Sequence, residues 1–197
     1  MPQPRIATEI ELIADYLDEQ LAALANAAHG LTEEQGRAAP CVSALSVGGL
    51  LKHTRWVMTE AARRRENTTG EVSPEEFEAH AGEFFGSFTL TDTESLSQAR
   101  EEFEAARTTF IDLVRSIDPD AEVMVPPEPW QGRHEPSKTT ERFHLLHMVE
   151  EFARHAGHAD IIREQLDRAT AIELEFAVEG REGNAWVTPW SPPDAQA

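Results

Sequence analysis

A chain of 197 residues, 40% of them hydrophobic, can bury roughly 70% of the surface its unfolded form exposes, and its lone cysteine, Cys41, excludes an internal disulfide framework or an all-cysteine zinc site. Its 36 acidic residues against 17 Lys and Arg, a formal net charge of −19, are the reverse of the basic face that nucleic-acid binders offer to phosphates and would be repelled by an anionic membrane surface. Arg5 and Glu9 interrupt the N-terminal stretch and no apolar run approaches roughly 18 residues, so a cytoplasmic protein without nucleic-acid or membrane partners is expected.

The first helix is predicted over 7–28, where Ile10, Ile13, Leu17, Leu21 and Leu24 recur at spacings of three and four and make one buried stripe. Gly30 ends it, since glycine accepts the left-handed conformation just past a last turn. Thr32 and Gln35 form a capping-box pattern for a short helical turn before Pro40. Ser46 is the N-cap of a second helix, although Gly48 and Gly49 in its first turn weaken it. Leu50, Val57 and Ala61 share its face with His53, and the run from Asn67 to Gly70 stops it. A long connection over 71–90 follows, with a helical turn over 74–80 and the aromatics Phe84, Phe85 and Phe88. Connections this long inside a domain are more often functional or locally structured than idle.

The third helix is expected over 94–117, capped by Thr91 or Thr93 and closed by Pro119. Leu96, Ala99, Phe103, Ala106, Phe110 and Leu113 give it the clearest periodicity in the chain. The segment VMVPPEPWQGRHEP reads as an ordered loop because of its prolines, and Trp130 within it is either an aromatic lid or an outer plug on the core. The fourth helix is expected over 138–168. Residues 171–197, with two tryptophans, form a tail expected to pack back on the bundle, so that 1–197 makes one domain.

The chemistry gathers in HLLHMVEEFARHAGHADIIRE. At about 100° per residue, and with His155 at zero, His144 falls near −20°, Glu151 near −40°, His158 near −60° and His147 near −80°. Five metal-capable groups therefore share one stripe beside an apolar face, and histidines in that position need partners. They cannot all hold one ion, because His144 and His158 lie about 21 Å apart along the axis. Groups four apart can converge, as Glu151 does with His155 or His147 with Glu151, whereas Glu150 points about 140° away from His155. A third ligand must come from a neighbouring helix, and His53 is the candidate. Two histidines and a carboxylate leave an open position, as in catalytic sites. His29, His80 and His134 read as surface or capping residues.

SALSVGGLLKHTRW, the PPEPW loop and above all HMVEEFARHAGHADIIREQLDRAT resemble the DinB-like metal-dependent superfamily, in its branch of mycothiol-dependent maleylpyruvate isomerases and mycothiol transferases. The resemblance covers nearly the whole chain. It implies an all-α four-helix bundle with long crossover connections and a divalent ion held by one histidine of the second helix and two side chains of the last. In the mycothiol-linked isomerase the first of those two is a glutamate, which corresponds here to His53, Glu151 and His155. Zinc is the metal the resemblance implies first, with nickel in some relatives, mycothiol is the implied cosubstrate, and a homodimer is the expected assembly. The isomerase carries a separate C-terminal domain that this chain is expected not to contain in full.

Three functions remain open at this level. In the first, a thiol S-transferase or isomerase, the ion lowers the pKa of a small thiol that attacks an electrophile, with Arg154 near −100° and Arg163 near 80° as candidates to meet a carboxylate of thiol or substrate, or else as surface ion pairs. In the second, a metal-dependent hydrolase, the ion activates water and Glu150, His147 or His158 moves the proton. In the third, a metal-stabilised binding or structural protein, His147 or His158 closes a four-ligand shell. Cys41 is expected to be dispensable, since the thiol comes from a cosubstrate.

Overall fold

A computed structural model describes residues 2–192, so the tail beyond 192 lies outside the described residues. Helix α1 (Glu9–Ala27) opens on a capping box in which Thr8 and Glu11 satisfy each other's backbone amides, and it buries Ile13, Leu17, Leu21 and Leu24. A second capping box, Thr32 with Gln35, starts the short α2 (Glu33–Arg37). Ser46 accepts from the Gly49 amide at the start of α3 (Val47–Arg64). The segment after α3 is more helical than the sequence indicated. Instead of one turn over 74–80 it holds α4 (Pro74–Ser87), capped by Ser73 and Glu76. Its pattern was hard to read because Ser87 is the one buried residue among the described residues of α4. Helix α5 (Leu96–Arg115) is capped by Ser95 and not by Thr91 or Thr93.

Residues 122–140 also correct the loop expectation. Strands β1 (Glu122–Val125) and β2 (Ser137–Thr140) pair antiparallel, Glu122 opposite Thr140 and Val125 opposite Ser137. The prolines all lie between the strands, where they cost no ladder bond. Residues 138–140, expected to open the last helix, belong to β2, and the helix starts later, as α6 (Glu141–Asp167). A final helix, α7 (Ala171–Val178), packs on α1.

Helices α1, α3, α5 and α6 form an all-α four-helix bundle in which α1 packs on α5 and α6, and α3 on the same two. The first two long helices are thus diagonal partners, and long crossovers carrying α2, α4 and the hairpin connect the four. The core runs through Leu17, Leu21, Leu50, Leu51, Phe103, Phe110 and Phe152. Two polar clamps fix the helix ends. Glu141, buried at the start of α6, meets Arg64 at 3.7 Å and also Arg65, both at the end of α3. At the opposite end of α6, Arg163 is fully buried: it donates to the Ala27 and His29 carbonyls at 2.9 and 2.6 Å and pairs with Asp167 at 2.8 Å. Trp190 covers it, its ring centroid 4.8 Å from the guanidinium carbon. Trp186 is 90% exposed. Among the described residues no helix is long and apolar enough to cross a membrane.

Candidate metal centre

The seam between α3 and α6 brings His53, Glu151 and His155 together, with one ligand-type atom of each lying within 4.8 Å of the others. His53 is fully buried, His155 nearly so, and Glu151 forms the partly open side. Both Nε2 atoms face the same carboxylate oxygen: Glu151 Oε1 lies 3.0 Å from His155 Nε2 and 3.5 Å from His53 Nε2. Ligands about 2.1 Å from a tetrahedral ion lie about 3.4 Å from one another, so these separations already approximate a coordination edge. His53 Nε2 has no hydrogen-bond partner, and His155 Nδ1 likewise has none. Buried nitrogens without partners are uncommon and call for an explanation; a cation beside Glu151 supplies one for His53.

The electrostatics favour ligand-ready protonation states. Contact with His155 first and His53 second holds the Glu151 carboxyl well below the usual carboxylate range. Burial lowers the His53 pKa, so the ring stays neutral with a lone pair available. The wall around His53 is aromatic: Phe88 stacks on it at 3.7 Å between centroids, and Phe84 meets it edge-on at 5.5 Å. Trp56 extends this wall, in contact with Phe84 and His80. Trp130 in the hairpin loop is 67% exposed and leans on Phe77, outside the core.

The remaining candidates separate clearly. His147 is exposed beside Glu150, and His158 is exposed with its ring 5.6 Å from that of His155; neither joins the three-residue cluster. Glu150 points outward and pairs with Arg154 at 2.5 Å. Arg163, expected at the surface or against a ligand, is buried at the far end of α6 as a structural clamp. His144 is buried near Arg64, its Nε2 without a partner, and burial lowers its pKa to about 3. His80 joins Glu60 and Glu83 in a second, more exposed group. There the Arg63 guanidinium lies 2.8 Å from both Glu60 and His80, so a cation already occupies that group.

The sequence profile of the mycothiol-S-transferases matches residues 12–168, a span that includes all three clustered side chains. The chain belongs to that family. Its architecture is the corresponding DinB-like bundle. The crystal structure of a conserved protein from Enterococcus faecalis superposes with a TM-score of 0.51 at 15% identity, over 82% of this chain and 98% of that one. At that identity the likeness concerns the fold alone. None of the curated proteins matches. Outside the cluster, sequence reasoning missed Ser87, whose hydroxyl lies 2.8 Å from His53 Nδ1. A serine near the end of a mostly exposed helix carries no signal that would have revealed it.

Proposed function

We infer that the protein is a metal-dependent S-transferase that joins mycothiol to small electrophiles, with His53, Glu151 and His155 as the ligands of one divalent ion. The observation that carries this reading is the convergence of two Nε2 atoms on Glu151 Oε1 beside a buried, unpartnered His53 nitrogen. Two imidazoles and one carboxylate suit zinc, with nickel the second choice. A bound ion would lower the pKa of the cosubstrate thiol, so that a thiolate is present near neutral pH.

The chain's own groups then have defined tasks. Glu151 supplies negative charge and the open edge of the site. His53 and His155 supply neutral donors, and Phe84, Phe88 and Trp56 keep water from the His53 side. Since neither His147 nor His158 reaches the cluster, the three ligands leave a position for the thiol, which favours catalysis over a closed structural site. Isomerisation of an activated double bond remains within the same chemistry, because it begins with the same thiolate addition.

The test combines elemental analysis of the purified protein with a conjugation assay using mycothiol and a small electrophile. One equivalent of zinc or nickel, and conjugation that is lost on chelation and restored by the metal, is the expected result. Global unfolding on chelation with no thiol reaction at any metal loading would make the ion structural. Turnover of esters or amides without thiol would assign the site to hydrolysis.

A further inference from the structure

We propose that Ser87 is a positioning residue for the candidate metal centre: its hydroxyl fixes His53 in the tautomer that leaves the Nε2 lone pair facing Glu151 and His155. The proposal rests on the ligand assignment above and adds a residue to it from a different element, α4.

The hydrogen-bond geometry has two possible polarities. Ser87 Oγ lies 2.6 Å from the Phe84 carbonyl and 2.8 Å from His53 Nδ1. A hydroxyl has one hydrogen. The Phe84 oxygen is only an acceptor, and it belongs to the last turn of α4, where carbonyls lack intrahelical partners. The Ser87 hydrogen therefore goes to Phe84, and a Ser87 lone pair accepts from His53 Nδ1–H. A neutral imidazole carries one N–H, so Nε2 is left as the bare nitrogen.

The opposite end of the ring makes no hydrogen bond that competes with this assignment. Were the hydrogen on Nε2, it would be a buried donor, and the nearest carboxylate oxygen stands at 3.5 Å without a hydrogen bond. With the hydrogen on Nε2, Ser87 Oγ, whose own hydrogen goes to Phe84, would face the bare Nδ1 lone pair at 2.8 Å, whereas placing the hydrogen on Nδ1 makes that contact a hydrogen bond. Metal-binding histidines are commonly oriented in this way, by a hydrogen bond from the nitrogen that does not ligate.

The arrangement also explains why α4 is present. Among its described residues, Ser87 alone is buried, and the helix delivers that hydroxyl together with Phe84 and Phe88 against the His53 ring. Helix α4 thus orients the ligand contributed by α3.

The test needs metal-free protein labelled with ¹⁵N-histidine, whose imidazole nitrogen shifts report the tautomer directly. His53 in the wild type should carry its hydrogen on Nδ1. Ser87→Ala should shift the ring toward the Nε2–H form and lower zinc affinity about 10–100-fold, measured by competition with a chromogenic chelator. Ser87→Thr, which restores the hydroxyl, should return both toward wild type. An Nε2–H ring in the wild type overturns the proposal without any variant having to fold. So does a folded Ser87→Ala that keeps the wild-type tautomer and zinc affinity. A wild-type Nδ1–H ring in a protein that binds neither zinc nor nickel supports Ser87 as the group that fixes the His53 tautomer while sinking the metal centre and the proposed transferase function, so the two failures are distinguishable.

Discussion

Glu151 Oε1 lies between two imidazoles from different helices, 3.0 Å from His155 Nε2 on its own helix and 3.5 Å from His53 Nε2 across the seam. The first distance follows from spacing along one helix. The second depends on the whole bundle, since α3 and α6 must stand in the right register for it to exist. The buried Glu141 pairs with Arg64 and Arg65 set that register at one end of the seam. Glu141 is buried while both arginines are partly exposed, so removing both would leave an uncompensated buried carboxylate, at a cost of about 3–5 kcal/mol, and the clamp constrains where His53 lies.

The ligand assignment predicts a sharp contrast between adjacent residues of α6. Glu151→Gln should lose most zinc affinity, as should His53→Ala and His155→Ala, by more than the roughly 10–100-fold typical of residues outside the ligand set. Glu150→Gln should bind zinc as the wild type does, because Glu150 faces solvent and Arg154. All four should remain helical by circular dichroism, since the apolar stripes of the four long helices carry the core. Full occupancy in Glu151→Gln with loss in Glu150→Gln would overturn the assignment.

The four long helices were legible because each buries a stripe with period near 3.6, and the grouping of His53, Glu151 and His155 was legible only in part, because spacing of four allows Glu151 to meet His155 or His147 and the family resemblance, not the spacing, selects His155. What could not be read has physical causes. Helix α4 shows almost no buried stripe, so periodicity had little to register. The hairpin strands are four residues each, Val123 and Val125 alternating opposite Thr139 and Ser137, and the intervening prolines obscured them. Arg163 looked like a surface cation, since nothing local reveals that it collects the carbonyls ending α1 and stacks under Trp190.

Gly48 and Gly49, which weaken α3 as a sequence pattern, prove to be places of close approach. A Cβ on Gly49 would stand 2.1 Å from the Phe88 carbonyl oxygen, on the very residue that stacks against His53. Gly49→Ala should therefore destabilise the protein by about 1–3 kcal/mol, more than cancelling the ~1 kcal/mol that alanine gains in a helix, and should weaken zinc binding by moving Phe88. Gly86→Ala in α4 is the control: nothing lies within 4 Å of its added Cβ, and stability should rise by about 0.5–1 kcal/mol. Urea unfolding of both variants measures this. Equal stability of Gly49→Ala and wild type would show that the 88–90 segment can yield.

Acid sensitivity should arise in part from His144. Burial first, then the charges of Arg64 and His147, lowers its pKa from the ordinary 6.5 to about 3. Between those values the unfolded chain takes up a proton that the folded chain refuses. Stability from this group is therefore complete above about pH 6.5 and falls as pH drops, by up to about 1.4 kcal/mol per unit, until the folded ring itself protonates near pH 3. Other groups titrate over the same range, so the comparison must be with a variant lacking only this one. His144→Leu keeps similar volume against Leu145 and Met148 and removes the buried base. Urea unfolding at pH 7.5, 6 and 5 should show the stability difference between wild type and variant nearly constant at the upper end, then moving steadily in favour of the variant as the buffer is acidified. Parallel profiles down to pH 5 would mean that His144 gains its proton as easily in the folded bundle as in the unfolded chain.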